Sequence, residues 1–138
     1  MVFVENIEEL TLNNNDYRRV IFTSDYSQLV LMSIPVGEDI DLEIHPYVDQ
    51  FFRIEQGNGE LRVGKDSQEI FKIKNQTGLV VPHNTYHRIV NTGNVPLKLY
   101  NIYSPPNHPP NKVEHKKEET KETKDNKYKK IILHMFSY

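Results

Sequence analysis

The sequence predicts an all-β fold, a sandwich or barrel of short strands, and two observations carry that expectation. Runs rich in β-branched and aromatic residues recur at roughly eight-to-twelve-residue spacing, each closed by a strong turn signal. Between them no segment repeats its apolar residues with helical periodicity.

Along the chain, residues 5–12 read as a short helical turn or a loose N-terminal arm, and Asn13 to Asp16 form a turn cluster. Strands are then predicted over 17–23, 28–34, 41–45, 50–55, 59–63, 69–73, 79–82, 87–91 and 97–103. Turn residues fill the gaps, among them Pro35, Gly37, Gly57, Gly59, Gly64, Asn75, Gly78 and Gly93. The runs 29–32 and 79–81 are continuously apolar, the pattern of strands covered on both faces. Phe51 and Phe52 place an aromatic on each side of their strand and read as core.

After Tyr103 the character changes. The prolines of 104–111 remove backbone donors and favour extended chain. Residues 112–130 mix Lys, Glu, Thr and Asp without an apolar stripe, as in a disordered segment or a frayed, solvated helix. The apolar end, 131–136, docks back, pairs with another subunit or is unselected tail. The expected division is therefore a barrel with its arm over 1–111 and a charged tail over 112–138. His108 and His115 fall in the proline-rich and charged segments and read as solvated.

With 138 residues the chain makes one domain, and its formal net charge of −2 gives no basic field for nucleic acid. It has no cysteine, so no disulfide forms, and any metal must use histidine and oxygen ligands. The start Met1-Val-Phe-Val-Glu-Asn lacks the basic and apolar regions of a signal peptide, and no run reaches membrane-spanning length. A soluble, cytoplasmic protein is expected. No phosphate-cradling glycine loop, Ser or Cys nucleophile signature or zinc-finger spacing is present.

The chemistry concentrates in Glu43, His45, Gln50 and His87. Glu43 and His45 are two apart and leave an extended strand on one side. Together the four supply a carboxylate, a carboxamide and two imidazoles, a mixed set suited to one divalent ion: Mn, Ni, Zn or Fe. Gln50 is the weaker donor and alternatively hydrogen-bonds a water or a substrate. Asp49 faces the other way and caps a turn. His83 reads as a rim residue. Tyr86, Arg88, Lys98 and Tyr100 read as barrel surface, as pocket wall or as a subunit contact, with Tyr86 and Tyr100 the substrate-binding candidates.

These segments resemble the two motifs of the cupin superfamily. The first reads Gly37, five residues, Glu43, one, His45, four, Gln50, six, Gly57, with Glu43 where a histidine is usual and Gln50 where an acid is usual. The second reads Pro82, His83, Asn84, two residues, His87, three, Asn91, with Asn84 in a glycine position. Asn tolerates left-handed backbone, so that exchange is mild. The segments 49–57 and 91–108 look like the small single-domain cupins labelled mannose-6-phosphate-isomerase-like. The resemblance implies a double-stranded β-helix barrel with the ion in its mouth, and a homodimer. It also implies a metal-dependent, isomerase-like enzyme acting on a small polar metabolite such as a sugar phosphate or keto acid. The alternatives are a non-catalytic module holding a small ligand or metal in the same mouth, and a scaffold whose tail is the functional part.

Overall fold

A computed structural model of the chain describes residues 1–117. The expected arm is a helix, α1 (Ile7–Asn13), capped by the Asn6 side chain, which accepts the amide N–H of Glu9 at 3.0 Å. Ten strands follow among the described residues: β1 (Arg18–Thr23), β2 (Gln28–Ile34), β3 (Asp39–Glu43), β4 (Asp49–Gln56) and β5 (Asn58–Val63), then β6 (Glu69–Lys74), β7 (Gly78–Val81), β8 (His87–Asn91), β9 (Leu97–Ser104) and β10 (Val113–Glu114). No helix among these residues is long and apolar enough to cross a membrane.

The strands form two antiparallel sheets that face each other as a double-stranded β-helix. One has the order β10-β1-β2-β9-β4-β7 and the other β3-β8-β5-β6. Alternation sorts each strand into an inner and an outer face. On β9 the inner set is Leu97, Leu99, Asn101 and Tyr103, flanked in the same sheet by Val30, Met32, Phe52 and Ile54 and met from the other sheet by Leu61 and Ile89. Every residue of β2 is buried, as its unbroken apolar run predicts, because α1 packs against the outer side of β2 and β9. The run 79–81 behaves differently. Val81 is in the core, but β7 is a sheet edge and Val80 is 64% exposed.

Residues 112–117 correct the expectation of a solvated tail. Val113 and Glu114 pair with Arg19 and Arg18, adding β10 to the first sheet. Glu114 and Arg18 are both buried and form an ion pair at 3.2 Å. Lys117 pairs with Asp39 and, at 2.8 Å, with Asp41 on β3 of the other sheet. This strap joins the two sheets along the side where β1 and β3 would otherwise be open edges. Its residues read as solvated because a two-residue strand shows no alternation, and its hold is ionic rather than apolar. The rest of the expected tail, 118–138, lies outside the described residues.

His108 is corrected too. Its Nε2 lies 3.2 Å from the Tyr103 hydroxyl, and the rings meet edge to face. Its loop is fixed by Gln28, whose side chain takes the N–H groups of Asn107 and His108 and donates to the His108 carbonyl. His115 is exposed as expected, with Nδ1 at 2.6 Å from Asp16.

Candidate metal centre

β3 and β8 build the site. Asp39 and Ile40 pair with Val90 and Ile89, but Glu43, not the next residue in simple register, stands opposite His87. The extra residue on β3 is a bulge, which reverses the alternation beyond it. Leu42, which strict alternation would send inward with Ile40, is 41% exposed instead. Glu43 turns into the barrel, with only 12% of its side chain exposed. His45, just past the strand, is buried as well. The sequence argument that both residues share a side therefore holds, although the strand ends at Glu43.

His45 is tied to the second segment through its carbonyl, which accepts the amide N–H of Asn84 at 2.8 Å. Asn84 adopts φ 59°, the left-handed backbone expected where it replaces glycine. That turn delivers His87, whose Nδ1 donates to the Thr85 carbonyl at 2.9 Å. A carbonyl only accepts, so the neutral ring carries its lone pair at Nε2, the orientation a metal-ligating histidine uses.

Glu43, His45 and His87 each direct a ligand atom into one small volume, all within 4.8 Å of one another. The Glu43 carboxylate is 3.2 Å from His45 Nε2, and the two imidazole centroids are 5.5 Å apart. Ligands held at about 2.1 Å from a shared ion stand roughly 3–4 Å from each other, and the 3.2 Å between Glu43 and His45 falls in that range.

Gln50 stands beside this group. On β4 it pairs with Tyr103, whose ring packs 6.0 Å from that of His45. Phe52, two residues along on the same face, packs 6.3 Å from His87. The Gln50 amide nitrogen donates to Asn101 Oδ1 at 3.2 Å. Its Oε1 is buried without a hydrogen-bond partner among the described residues. A buried carbonyl oxygen in that state is destabilising by about 1–3 kcal/mol unless something satisfies it. A cation or a water held by one would do so, and on this observation the residues fit a divalent metal.

Around the four lies a buried polar shell that the sequence reading missed. Burial pushes the Tyr103 phenol above its ordinary pKa, aided by Glu43 and Glu114 against the pull of Arg18, so its hydroxyl stays protonated. Burial opposes the charge on Arg18, but the carboxylates of Glu43 and Glu114 keep the guanidinium ionised. Period-two alternation on β9 contained the signal, because it sends Asn101 and Tyr103 inward together.

Other candidates are placed elsewhere. Tyr100 alternates with Asn101 and lies on the outer face of the sheet, packed against Phe51 at 6.4 Å, on the side away from the three ligand atoms. Tyr86 is half-buried ahead of β8, its carbonyl accepting the Gly64 N–H; Thr85 is the neighbour that engages His87. Arg88 bonds Asp39 at 2.6 Å, and buried Lys98 donates to the Leu12 carbonyl and to Asn15, so both are structural. Asp49 faces out and accepts the His83 amide N–H at 2.9 Å, the turn cap expected of it, with the exposed His83 ring alongside.

Residues 30–103 match the family model of the Cupin domain. The chain is 51% identical over 110 residues to an uncharacterized Bacillus subtilis protein, YrkC, covering 78% of this chain. That match spans 59% of YrkC, less than two thirds of the relative's length. An uncharacterized protein of Acanthamoeba polyphaga mimivirus is 46% identical over 114 residues, covering 82% of this chain and 71% of that protein. A crystal structure of a Bacillus halodurans protein superposes with TM-score 0.82 at 46% identity, covering 83% of this chain and 89% of that one. With both motif segments inside the matched region and the double-stranded β-helix around them, the chain belongs to the cupin superfamily.

Proposed function

We propose that this cupin binds one divalent metal ion through Glu43, His45 and His87, with Gln50 as an oxygen donor beside them, and acts as an enzyme on a small metabolite. The observation that carries the reading is the convergence of three ligand atoms from separate segments within 4.8 Å. Such an ion, when bound, supplies Lewis-acid polarisation of a carbonyl or hydroxyl oxygen and lowers the pKa of water. The remaining chemistry belongs to the chain. Thr85 orients His87, Asn101 fixes the Gln50 amide, and the Tyr103 ring packs edge-on against His45.

The isomerase-like reaction suggested by the sequence resemblance belongs to this proposal: the ion would polarise the carbonyl oxygen, and a base would have to take the proton from the neighbouring carbon. A non-catalytic binding module is the second reading, favoured by Gln50, which supplies an amide where a carboxylate base would stand.

Metal analysis of protein purified without chelator, with thermal shift under Mn, Ni, Zn and Fe, tests the first reading. A bound ion and a rise in melting temperature are expected, both lost in His87→Ala. Protein that retains no ion and shifts with none of them would remove the metal, and with it the enzyme. A metabolite recovered intact with the ion, and never turned over, would instead select the binding module.

A further inference from the structure

We infer that residues 112–117 are the gate of this centre: ion and ligand reach Glu43, His45 and His87 along the seam between β3 and β10, and the strap lifts to admit them. The inference rests on the reading of those three residues as the binding site.

The centre is closed as it stands. His45, Gln50 and His87 are buried, with His45 Nε2, His87 Nε2 and Gln50 Oε1 sealed from solvent. Atoms without solvent contact are reached only after an element moves. Glu43 is the least enclosed of the four, with 12% of its side chain exposed, and it lies on β3, an edge of its sheet. β8 covers one side of that strand. The strap reaches the other, where Lys117 pairs with Asp39 and Asp41. The opposite edge of the sheet, β6, stands two strands beyond β8. The nearest way out from Glu43 is therefore past the strap.

The strap is held by contacts that water can replace. Arg18 lies two residues from the core residue Val20 and shares its inward face. Its cross-strand partner Glu114 points the same way, so the strap places a carboxylate inside the barrel, paired with a guanidinium on which Glu43 also acts. His115 pairs with Asp16 at 2.6 Å, and the Lys112 and His115 carbonyls accept the N–H groups of Val20 and Tyr17. Among the described residues the apolar core contains nothing after Tyr103, and Val113 is 37% exposed. Lifting the strap therefore exposes charges, which hydration compensates in part, and uncovers little apolar surface. Segments with few buried apolar contacts open well below the cost of global unfolding. A strand such as β2, buried along its whole length, has no such route.

The chain has no cysteine, so an engineered pair makes its only disulfide. Arg19 and Val113 are exposed cross-strand partners. Antiparallel partners stand about 4.5–5.5 Å apart, within the span of a disulfide. Arg19→Cys/Val113→Cys thus ties the strap to β1 when oxidised and frees it when reduced. Glu60→Cys/Lys72→Cys, which joins β5 to β6 at the far edge, is the control lock. The probe is diethyl pyrocarbonate on the chelator-treated full chain. Peptide mass spectrometry follows carbethoxylation of His45 and His87, with the exposed His83 as internal reference. Oxidising the strap pair should slow labelling of His45 and His87 at least about tenfold, because labelling of a closed group tracks the population of the open form. His83 should not change. The control lock should leave all three rates as they were, and Lys117→Ala should speed labelling of the two buried histidines. In Zn-loaded protein the strap lock should slow transfer of the ion to a colorimetric chelator by a similar factor. Equal labelling with the strap tied and free, or equal slowing by both locks, would overturn the gate. A tied strap that protects both histidines in protein that takes up no ion would sink the metal reading and leave the gate standing.

Discussion

Glu114→Gln removes one charge from the strap and leaves the shape of the barrel unaltered. Arg18 and Glu114 are 1% and 2% exposed and meet at 3.2 Å. Deleting one partner of such a pair leaves an uncompensated buried charge, typically destabilising by about 3–5 kcal/mol. Glu43 also acts on Arg18 electrostatically, so a loss near the lower end, about 3 kcal/mol, is the expectation. At about 4 °C per kcal/mol for a domain of this size, the melting temperature should fall by about 12 °C. Circular dichroism melts of wild type, Glu114→Gln and the double variant Arg18→Met/Glu114→Leu make the assay. The double variant removes both charges and should regain at least half of the loss, since apolar replacements of a buried pair are often neutral. If Glu114→Gln melts within about 2 °C of wild type, residues 112–117 do not hold the sheets together and the reasoning fails.

Ending the chain at residue 111 removes β10 and Lys117, so that protein should melt well below one ended at residue 117; equal melts would return the strap to the status of a tail. Asp39 gives a pH signature. Burial pushes its carboxyl upward, but the hydrogen bonds from Lys117 and Arg88 outweigh burial and hold its pKa below 3.8. Its contribution is therefore present above the unfolded value and lost as pH falls through the lower folded one. Wild type should lose more stability than Asp39→Asn between about pH 5 and pH 3, and superimposable acid limbs in a urea series would contradict this. In Gly59→Ala the new methyl would sit 2.5 Å from the Val90 carbonyl oxygen, so β5 and β8 must separate. A loss of about 1–3 kcal/mol in chemical denaturation follows, and an unchanged midpoint would show that the close approach is absent.

The strands were legible in the sequence because turn residues and period-two burial both mark them. Gln28–Ile34 and His87–Asn91 have the expected bounds, and most others move by only a residue or two. The site was legible for a different reason, since motif spacing located Glu43, His45 and His87 without any knowledge of their contacts. The bulge on β3 was not visible, because a bulge is a property of pairing with β8, and one extra residue leaves no compositional trace. The face that Tyr100 takes needed a register: once Asn101 faces Gln50, its neighbour must face outward. The strap stayed hidden because its partners, Arg18, Asp39 and Asp41, lie far away in sequence, and charged residues read as solvated until their partners are known.

Anomalous diffraction at the absorption edge of Mn or Zn, from crystals of chelator-free protein, measures the central claim most directly. A single strong peak should lie among the Glu43 carboxylate, His45 Nε2 and His87 Nε2, with the Gln50 oxygen facing it, and should vanish in His87→Ala. Crystals soaked in either metal that show no peak between those three side chains, or a peak only elsewhere, would contradict the account.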